Sequence, residues 1–229
     1  MHPQFQTTEQ VTREFAVQQN KVLRNTYLLL ALSMVPTIIG AVIGVRMGFS
    51  FFAGSPGTSF LVFMGIAFAF MYGIKRTQNS SMGVVLLLAF TFFMGMMLSL
   101  ILQVALMFSN GPFLIATAAG GTGAIFFTLA GIATVTKKDF SFMGKFLFVG
   151  LVLVILAMIG NIFFQIPALA LTISGVALLI FSGYILYDIS RIVHGGETNY
   201  ISATLHVYLD IYNIFVHLLN ILMALAGRR

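Results

Sequence analysis

The sequence predicts an all-α integral membrane protein, folded as a bundle of seven transmembrane helices. Of its 229 residues, 59% are hydrophobic and only 8% are charged, and the mean hydropathy is +1.00. An ordinary soluble domain is about 25% charged. So few charges cannot cover a water-facing surface, so the composition excludes a soluble globular protein. A chain this apolar and this weakly charged is not a disordered one either.

Seven apolar stretches are long enough to cross a bilayer, since a helix needs about 20 mostly apolar residues to do so. The predicted spans are residues 26–45, 57–74, 82–103, 113–135, 146–165, 168–187 and 204–226. Residues 1–25 are polar and lack the pattern of a cleaved signal peptide. The sequence therefore predicts a polar cytoplasmic N-terminal tail, 1–25, and one transmembrane domain, 26–229, because the short loops leave no room for another.

Charged and turn-forming residues end these spans. In chain order they are Arg24 and Arg46 around span 1, Lys75 and Arg76 after span 2, residues 109–112 (Ser-Asn-Gly-Pro) before span 4, Lys137, Lys138 and Asp139 after span 4, Pro167 between spans 5 and 6, and Arg228 and Arg229 after span 7. Within span 1, Gly40, Gly44 and Gly48 recur every fourth residue, which predicts close approach of another helix of the bundle.

The basic residues predict the orientation. With the N-terminus inside, nine of the 12 Lys and Arg residues lie on the inner side, and only Arg46, Arg228 and Arg229 lie outside. This is the bias of the positive-inside rule, so the excess of six positive charges is assigned to topology and not to nucleic-acid binding. If span 7 only dipped into the membrane, Arg228 and Arg229 would move inside. Its 23 residues favour a full crossing.

Two of the six acidic residues lie where a membrane protein rarely places them. Glu9, Glu14, Asp139 and Glu197 fall in the tail or loops, whereas Asp188 closes span 6 and Asp210 lies about two turns into span 7. A charge inside a membrane helix costs about 2.5–3.5 kcal/mol on insertion scales and marks a candidate functional site.

Helical spacing extends this site into a polar stripe. His206, Asp210, Asn213, His217 and Asn220 follow one another by steps of three or four along span 7, and so do Ser174, Ala177, Phe181, Tyr184 and Asp188 along span 6. Such steps keep one face of a helix, while Tyr208 and Tyr212 fall on roughly the opposite face. We therefore expect span 7 to be buried, with its stripe lining a polar cavity. The alternative is that Asp188 and His206 are interfacial and Asp210 is a neutral packing residue.

Two carboxylates close together in a low dielectric cannot both ionise easily, so they titrate as a unit that shares a proton. The shared proton ties spans 6 and 7 together. The doubly charged pair repels itself and favours a wider gap or a cation such as Ca²⁺, which accepts several oxygens flexibly. The chemistry predicts a proton-gated cation pathway with Asp188 and Asp210 as the calcium ligands. Lys75, Arg76 or Arg191 could instead pair with the doubly charged form.

Enzyme chemistry is not expected. Tyr187 and Asp188 are similar to one motif of intramembrane aspartyl proteases, but their second motif needs Gly-x-Gly-Asp, and residues 207–210 are Val-Tyr-Leu-Asp. The sequence has no cysteine, no HExxH and no GxSxG, which excludes a Cys nucleophile and these zinc and serine motifs. We predict a non-enzyme without a cofactor, with calcium only as a transported ion.

Five stretches carry a family resemblance. They are KVLRNTY (21–27), KKDFSFMG (137–144), GNIFFQIPAL (160–169), LYDISRIVHGGETNYI (186–201) and YLDIYNIFVHLLNIL (208–222). Through them the chain resembles the Bax inhibitor (transmembrane BAX inhibitor motif) family over residues 21–225, and its bacterial branch of FtsH protease modulators in particular. The resemblance implies seven helices with the last surrounded by the other six. It also implies that Asp188 and Asp210 sense pH for a calcium leak, beside a basic residue on an early helix.

Two functions are therefore predicted for a multi-pass protein of the bacterial inner membrane. The first is a pH-sensitive calcium leak, lined by His206, Asn213 and His217, which depends on Asp188 and Asp210. The alternative, implied only by the resemblance, is a regulatory partner that binds the FtsH membrane protease through the cytoplasmic tail, residues 1–25.

Overall fold

A computed structural model describes residues 3–50, 56–136 and 138–227, with side chains from Val17 onward except that of Pro56. The helices are α1 (Pro3–Arg46), α2 (Pro56–Thr77), α3 (Ser81–Leu106), α4 (Gly111–Thr136), α5 (Gly144–Phe164), α6 (Pro167–Val193) and α7 (Tyr200–Ala226), with a 3₁₀ turn at Ser141–Met143. All seven are long and apolar enough to span a membrane. The predicted all-α, seven-helix membrane bundle is confirmed.

The last helix is central, as predicted. α7 packs against α1, α2, α3, α4 and α6, but in the described part of the chain it does not contact α5. The expectation that all six other helices surround α7 is therefore wrong in one detail. α5 packs on α6 and buries only Leu147 and Val154, so most of its side chains face outward.

Helices α6 and α7 extend further toward each other than the sequence predicts. α6 continues past Asp188 to Val193, and α7 already begins at Tyr200, so the connecting loop is shorter than the expected 189–203. Arg191 lies in the last turn of α6, where a positive charge is favourable beside the free carbonyls of a helix end. Asn199 caps α7 by accepting hydrogen bonds from the amides of Ile201 and Ser202.

The polar N-terminal segment is helical over its described residues. α1 runs without a break from Pro3 to Arg46, and the stretch apolar enough to span begins at Val17. Val22 and Thr26 are already buried against the bundle. Residues 3–25 are therefore continuous in helix with the first span, and their assignment as a separate cytoplasmic tail stays a prediction. Residues 1 and 2 lie outside the described residues.

Glycines bring α1 and α3 into close contact. A Cβ atom on Gly40 would overlap the backbone of α3, and one on Gly95 would overlap the carbonyl oxygen of Thr37 on α1. Gly44 meets the side chain of Ser99 in the same way. The predicted close approach at Gly40 and Gly44 is confirmed, whereas Gly48 lies beyond the end of α1, adopts a φ of 59° and faces open space.

Replacing Gly95 by alanine is expected to destabilise the bundle by about 1–3 kcal/mol, because the α1–α3 backbones must separate. Gly120→Ala is the matched control, since an added Cβ there meets nothing within 4 Å. It should be neutral or stabilising by up to about 1 kcal/mol, the difference in helix propensity. Thermal unfolding of both purified variants checks this, and equal unfolding temperatures would refute the close-contact assignment.

The end of the chain fits a full crossing by α7. The helix is continuous over its 27 residues from Tyr200 to Ala226, about 40 Å at 1.5 Å per residue. That exceeds a hydrocarbon core of about 30 Å. Lys137, Arg228 and Arg229, which entered the orientation argument, lie outside the described residues.

Candidate functional site

Asp188 and Asp210 meet between α6 and α7. Both side chains are buried, with 9% and 5% of their surface exposed. Their carboxyl groups lie within hydrogen-bonding reach of each other. Such a bond requires a proton on one carboxyl, because an ionised carboxylate only accepts. Two carboxyl groups in this arrangement can share one proton.

The surroundings of the pair are asymmetric. Asp188 interacts electrostatically with His206, Arg191 and Glu197, which lie near the α6–α7 loop. Asp210 lies deeper, and its Oδ2 accepts no hydrogen bond from the described residues. A buried acceptor without a donor costs about 1–3 kcal/mol. This oxygen therefore keeps an acceptor position that no described donor uses.

The three candidate basic residues do not contact the pair in this structure. Lys75 and Arg76 are exposed at the end of α2, and no described atom forms an ion pair with them. The Arg191 guanidinium donates a 3.0 Å hydrogen bond to the carbonyl of Gly196 and lies 5.6 Å from the ring centroid of Tyr187. The assignment of a basic partner stays a prediction.

The polar stripe of α7 divides into two parts. His206, near Asp188, is partly buried, and the Asn213 amide donates a 2.7 Å hydrogen bond to the Leu209 carbonyl of its own helix. His217 is 5% exposed, and its Nδ1 has no hydrogen-bond partner among the described residues. His217 and Asn220 of the stripe line a cavity. A single cavity along the whole stripe stays a prediction.

That cavity has a volume of about 530 Å³ and lies between α3, α5, α6 and α7 at the end of the bundle away from the α6–α7 loop. Its polar lining residues are Asn161, Ser174, His217 and Asn220, and the rest of its lining is apolar. The sequence argument did not include Asn161, although an amide within the otherwise apolar span 5 was a usable signal.

On the opposite side of α7 the Tyr208 hydroxyl lies 3.0 Å from the hydroxyl of Thr37 on α1. Thr37 also lies within donating distance of the Ser33 carbonyl, and the Tyr208 hydroxyl donates to the Thr91 carbonyl on α3 at 3.4 Å. The spacing argument placed Tyr208 away from the stripe, which is confirmed. Its polar partner on α1 was not predicted, because spacing within one helix does not show what the next helix presents.

The loops on the aspartate side are joined by hydrogen bonds. The Asn199 amide donates to the Gln78 carbonyl after α2, and Glu197 accepts bonds from the Asn199 backbone amide and the Ser202 hydroxyl. Ser190 on α6 accepts a 2.9 Å bond from the amide of Phe140, which follows α4. The HGGETNYI stretch (194–201) therefore positions the start of α7 against α6, and with it the two aspartates.

Comparisons with known proteins agree with this architecture. A family model described as "Inhibitor of apoptosis-promoting Bax1" matches residues 19–227. "Modulator of FtsH protease YccA" from Escherichia coli K12 is 43% identical over 210 residues, which cover 92% of this chain and 93% of that protein. An uncharacterised membrane protein of Vibrio cholerae is 42% identical, with 96% of each chain covered. An uncharacterised protein of Neisseria meningitidis is 39% identical, with 92% and 94% covered. The chain belongs to the Bax inhibitor-1 family of membrane proteins.

Proposed function

We propose that this protein modulates an FtsH-type protease in the bacterial inner membrane. The observation that carries this proposal is the 43% identical Escherichia coli relative, whose name is "Modulator of FtsH protease YccA" and which matches over 92% of the chain. A second relative is named "Inner membrane protein YccA". These names favour the function that the sequence ranks second. They describe a modulator, in keeping with the expectation of a non-enzyme.

The N-terminal part of α1 is the segment proposed to reach the protease. Its helix begins at Pro3, well before the apolar stretch that starts at Val17. At its junction with the bundle, Val22 packs against Ile192 and Ala203, which flank the α6–α7 loop. A protease bound to this helix would therefore be linked to the loop that joins the two aspartate-bearing helices.

Deleting residues 1–16 is expected to weaken both binding to FtsH and the effect on its proteolysis, while thermal stability stays unchanged. This deletion is more specific than removal of residues 1–25, because the longer deletion would also remove Val22 and Leu23, which pack against the bundle. Co-purification with FtsH and degradation of an FtsH substrate measure the two effects. A truncated chain that binds and modulates like the full chain would show that the helix start is not the contact.

We also propose a second function, a pH-sensitive calcium leak through the Asp188–Asp210 pair. The supporting observation is that two buried carboxyl groups on different helices lie within hydrogen-bonding reach of each other. Loss of the shared proton leaves two negative charges, which separate the helices or attract a cation. Two carboxylates supply fewer oxygens than the 6–8 of a tight calcium site. Weak binding of this kind suits conduction, because an ion must also leave.

Calcium flux by the purified full chain in liposomes tests the leak, with Asp188→Asn and Asp210→Asn beside it. The protease is absent from that assay, so the flux measurement tests the leak independently of the proposed protease modulation. If neither flux nor protease binding depended on the named residues, both proposals would fail.

A further inference from the structure

The cavity lined by His217 and Asn220 is open because α5 stands apart from part of the bundle. In the described part of the chain α5 packs on α6 and on the 3₁₀ turn, and it contacts neither α3 nor α7. The cavity of about 530 Å³ fills the space this leaves. The predicted topology places this end of the bundle outside, where Asn161 and Asn220 of the lining are close to the ends of α5 and α7.

Two aromatic rings lie at the inner side of this cavity. The His217 imidazole is part of the cavity lining and is stacked on the ring of Phe181, with 6.1 Å between centroids and 17° between planes. Both side chains are buried, at 5% and 9% exposure. Phe181 does not line the cavity, whereas Ser174, two turns away on the same face of α6, does. The ring pair is thus where the cavity ends.

The same ring pair separates the cavity from the aspartates. On α6, Phe181 lies midway between Ser174 and Asp188, about 10 Å along the helix from each. Tyr184 lies on the next turn of α6 toward Asp188. Its ring packs against Phe181, and it interacts electrostatically with both aspartates. Any route from the cavity to the pair along this face must pass the Phe181 and His217 rings.

We propose that Phe181 and His217 form a closed seal between the Asp188–Asp210 pair and an aqueous entrance, the cavity. An apolar constriction blocks ions by excluding water, and the stacked rings supply one. The Nδ1 atom of His217 is buried and has no hydrogen-bond partner among the described residues, so the seal holds a polar group away from water while it is closed. As a seal on ion passage, the inference rests on the proposed leak.

Accessibility of single cysteines tests the seal without any flux measurement, because the chain has no native cysteine. Asn220→Cys lies in the cavity, and Asn213→Cys lies on the same face of α7, one turn beyond His217 toward the aspartates. A cationic, membrane-impermeant methanethiosulfonate reagent is added to spheroplasts. Asn220→Cys is expected to react, and Asn213→Cys to react about tenfold more slowly or not at all.

The double variant with Phe181→Ala and Asn213→Cys is expected to be labelled at its cysteine about tenfold faster than Asn213→Cys alone. Adding Phe181→Ala to Asn220→Cys should leave the labelling rate unchanged. Phe90→Ala is the matched control, because Phe90 is a buried ring on the far side of α7, against Tyr208. It should leave both labelling rates unchanged, so an equal effect of the two alanines would mean general loosening and would overturn the seal.

Equal labelling of Asn213→Cys and Asn220→Cys with Phe181 in place would also overturn the inference, as would an unlabelled Asn220→Cys. Calcium flux then separates the two proposals. If Phe181→Ala opens the route to the reagent but flux never occurs, the seal stands and the leak fails. If flux depends on the aspartates while Phe181→Ala changes neither labelling nor flux, the leak stands and the seal fails.

Discussion

Replacing Asp188 or Asp210 by asparagine is expected to remove the pH dependence of the bundle's thermal stability. The two carboxyl groups lie within hydrogen-bonding reach of each other. A hydrogen bond between them exists only while one of them carries a proton. An asparagine amide can donate a hydrogen bond to the remaining carboxyl at any pH. The contact between α6 and α7 then no longer depends on a proton that can be lost.

The direction of the pH dependence follows from which protonation state of the aspartate pair forms the hydrogen bond. At low pH the pair is protonated and holds α6 to α7, and as pH rises and the proton leaves, that stabilisation is lost and the charges repel. A hydrogen bond to a charged group contributes about 1.5–3 kcal/mol, or roughly 3–12 °C in unfolding temperature for a chain of this size. The unmodified protein should therefore unfold at lower temperature as pH rises, and the Asn variants should not.

Asp139→Asn is the matched control for this experiment. Asp139 lies in the loop after α4 and accepts hydrogen bonds from Ser141, which lower the pKa of its carboxyl below the ordinary value. It stays charged throughout the neutral range, so its replacement should leave the pH profile as it is. If the unfolding temperature still fell with rising pH in both Asp188→Asn and Asp210→Asn, other groups would set the pH dependence.

Replacing Tyr208 by alanine is expected to cost about 3–5 kcal/mol, the range for truncating a buried aromatic side chain. Tyr208 is 1% exposed, packs edge-on against Phe90 and reaches Thr37 on α1, so it joins the central helix to two neighbours. The unfolding free energy in detergent measures the loss.

Tyr208→Phe separates the ring from its hydroxyl. It removes the contact with the Thr37 hydroxyl, which keeps the Ser33 carbonyl as a partner, and the 3.4 Å bond to the Thr91 carbonyl. The expected cost is about 1 kcal/mol. If Tyr208→Phe cost as much as Tyr208→Ala, the hydroxyl pair and not the packing would hold α7 in place.

The number of helices and the identity of the buried carboxylates could be predicted from the sequence because both follow from the cost of polarity in lipid. Seven apolar stretches must be helices there, and Asp188 and Asp210 stand out because a membrane span rarely contains a charge. Three- and four-residue spacing then placed Asp210 and His217 on one face of α7, as the structure shows.

The sequence was less informative where contacts between helices decide the structure. The predicted inner loop was too long because Asp188 was taken to close span 6, whereas helix α6 continues to Val193. The isolation of α5 and the cavity beside it depend on which helices pack together, and hydropathy does not contain that information. The stacking of Phe181 on His217 joins residues of two helices, so spacing within one helix could not predict it.

Calcium flux by the purified full chain in liposomes, across a pH series, tests most directly whether the Asp188–Asp210 pair is a functional sensor. The unmodified chain, Asp188→Asn, Asp210→Asn and the control Asp139→Asn are measured side by side. The account predicts flux that changes with pH in the unmodified chain and in Asp139→Asn, and flux insensitive to pH in the other two. An unchanged pH response in Asp188→Asn and Asp210→Asn would contradict it.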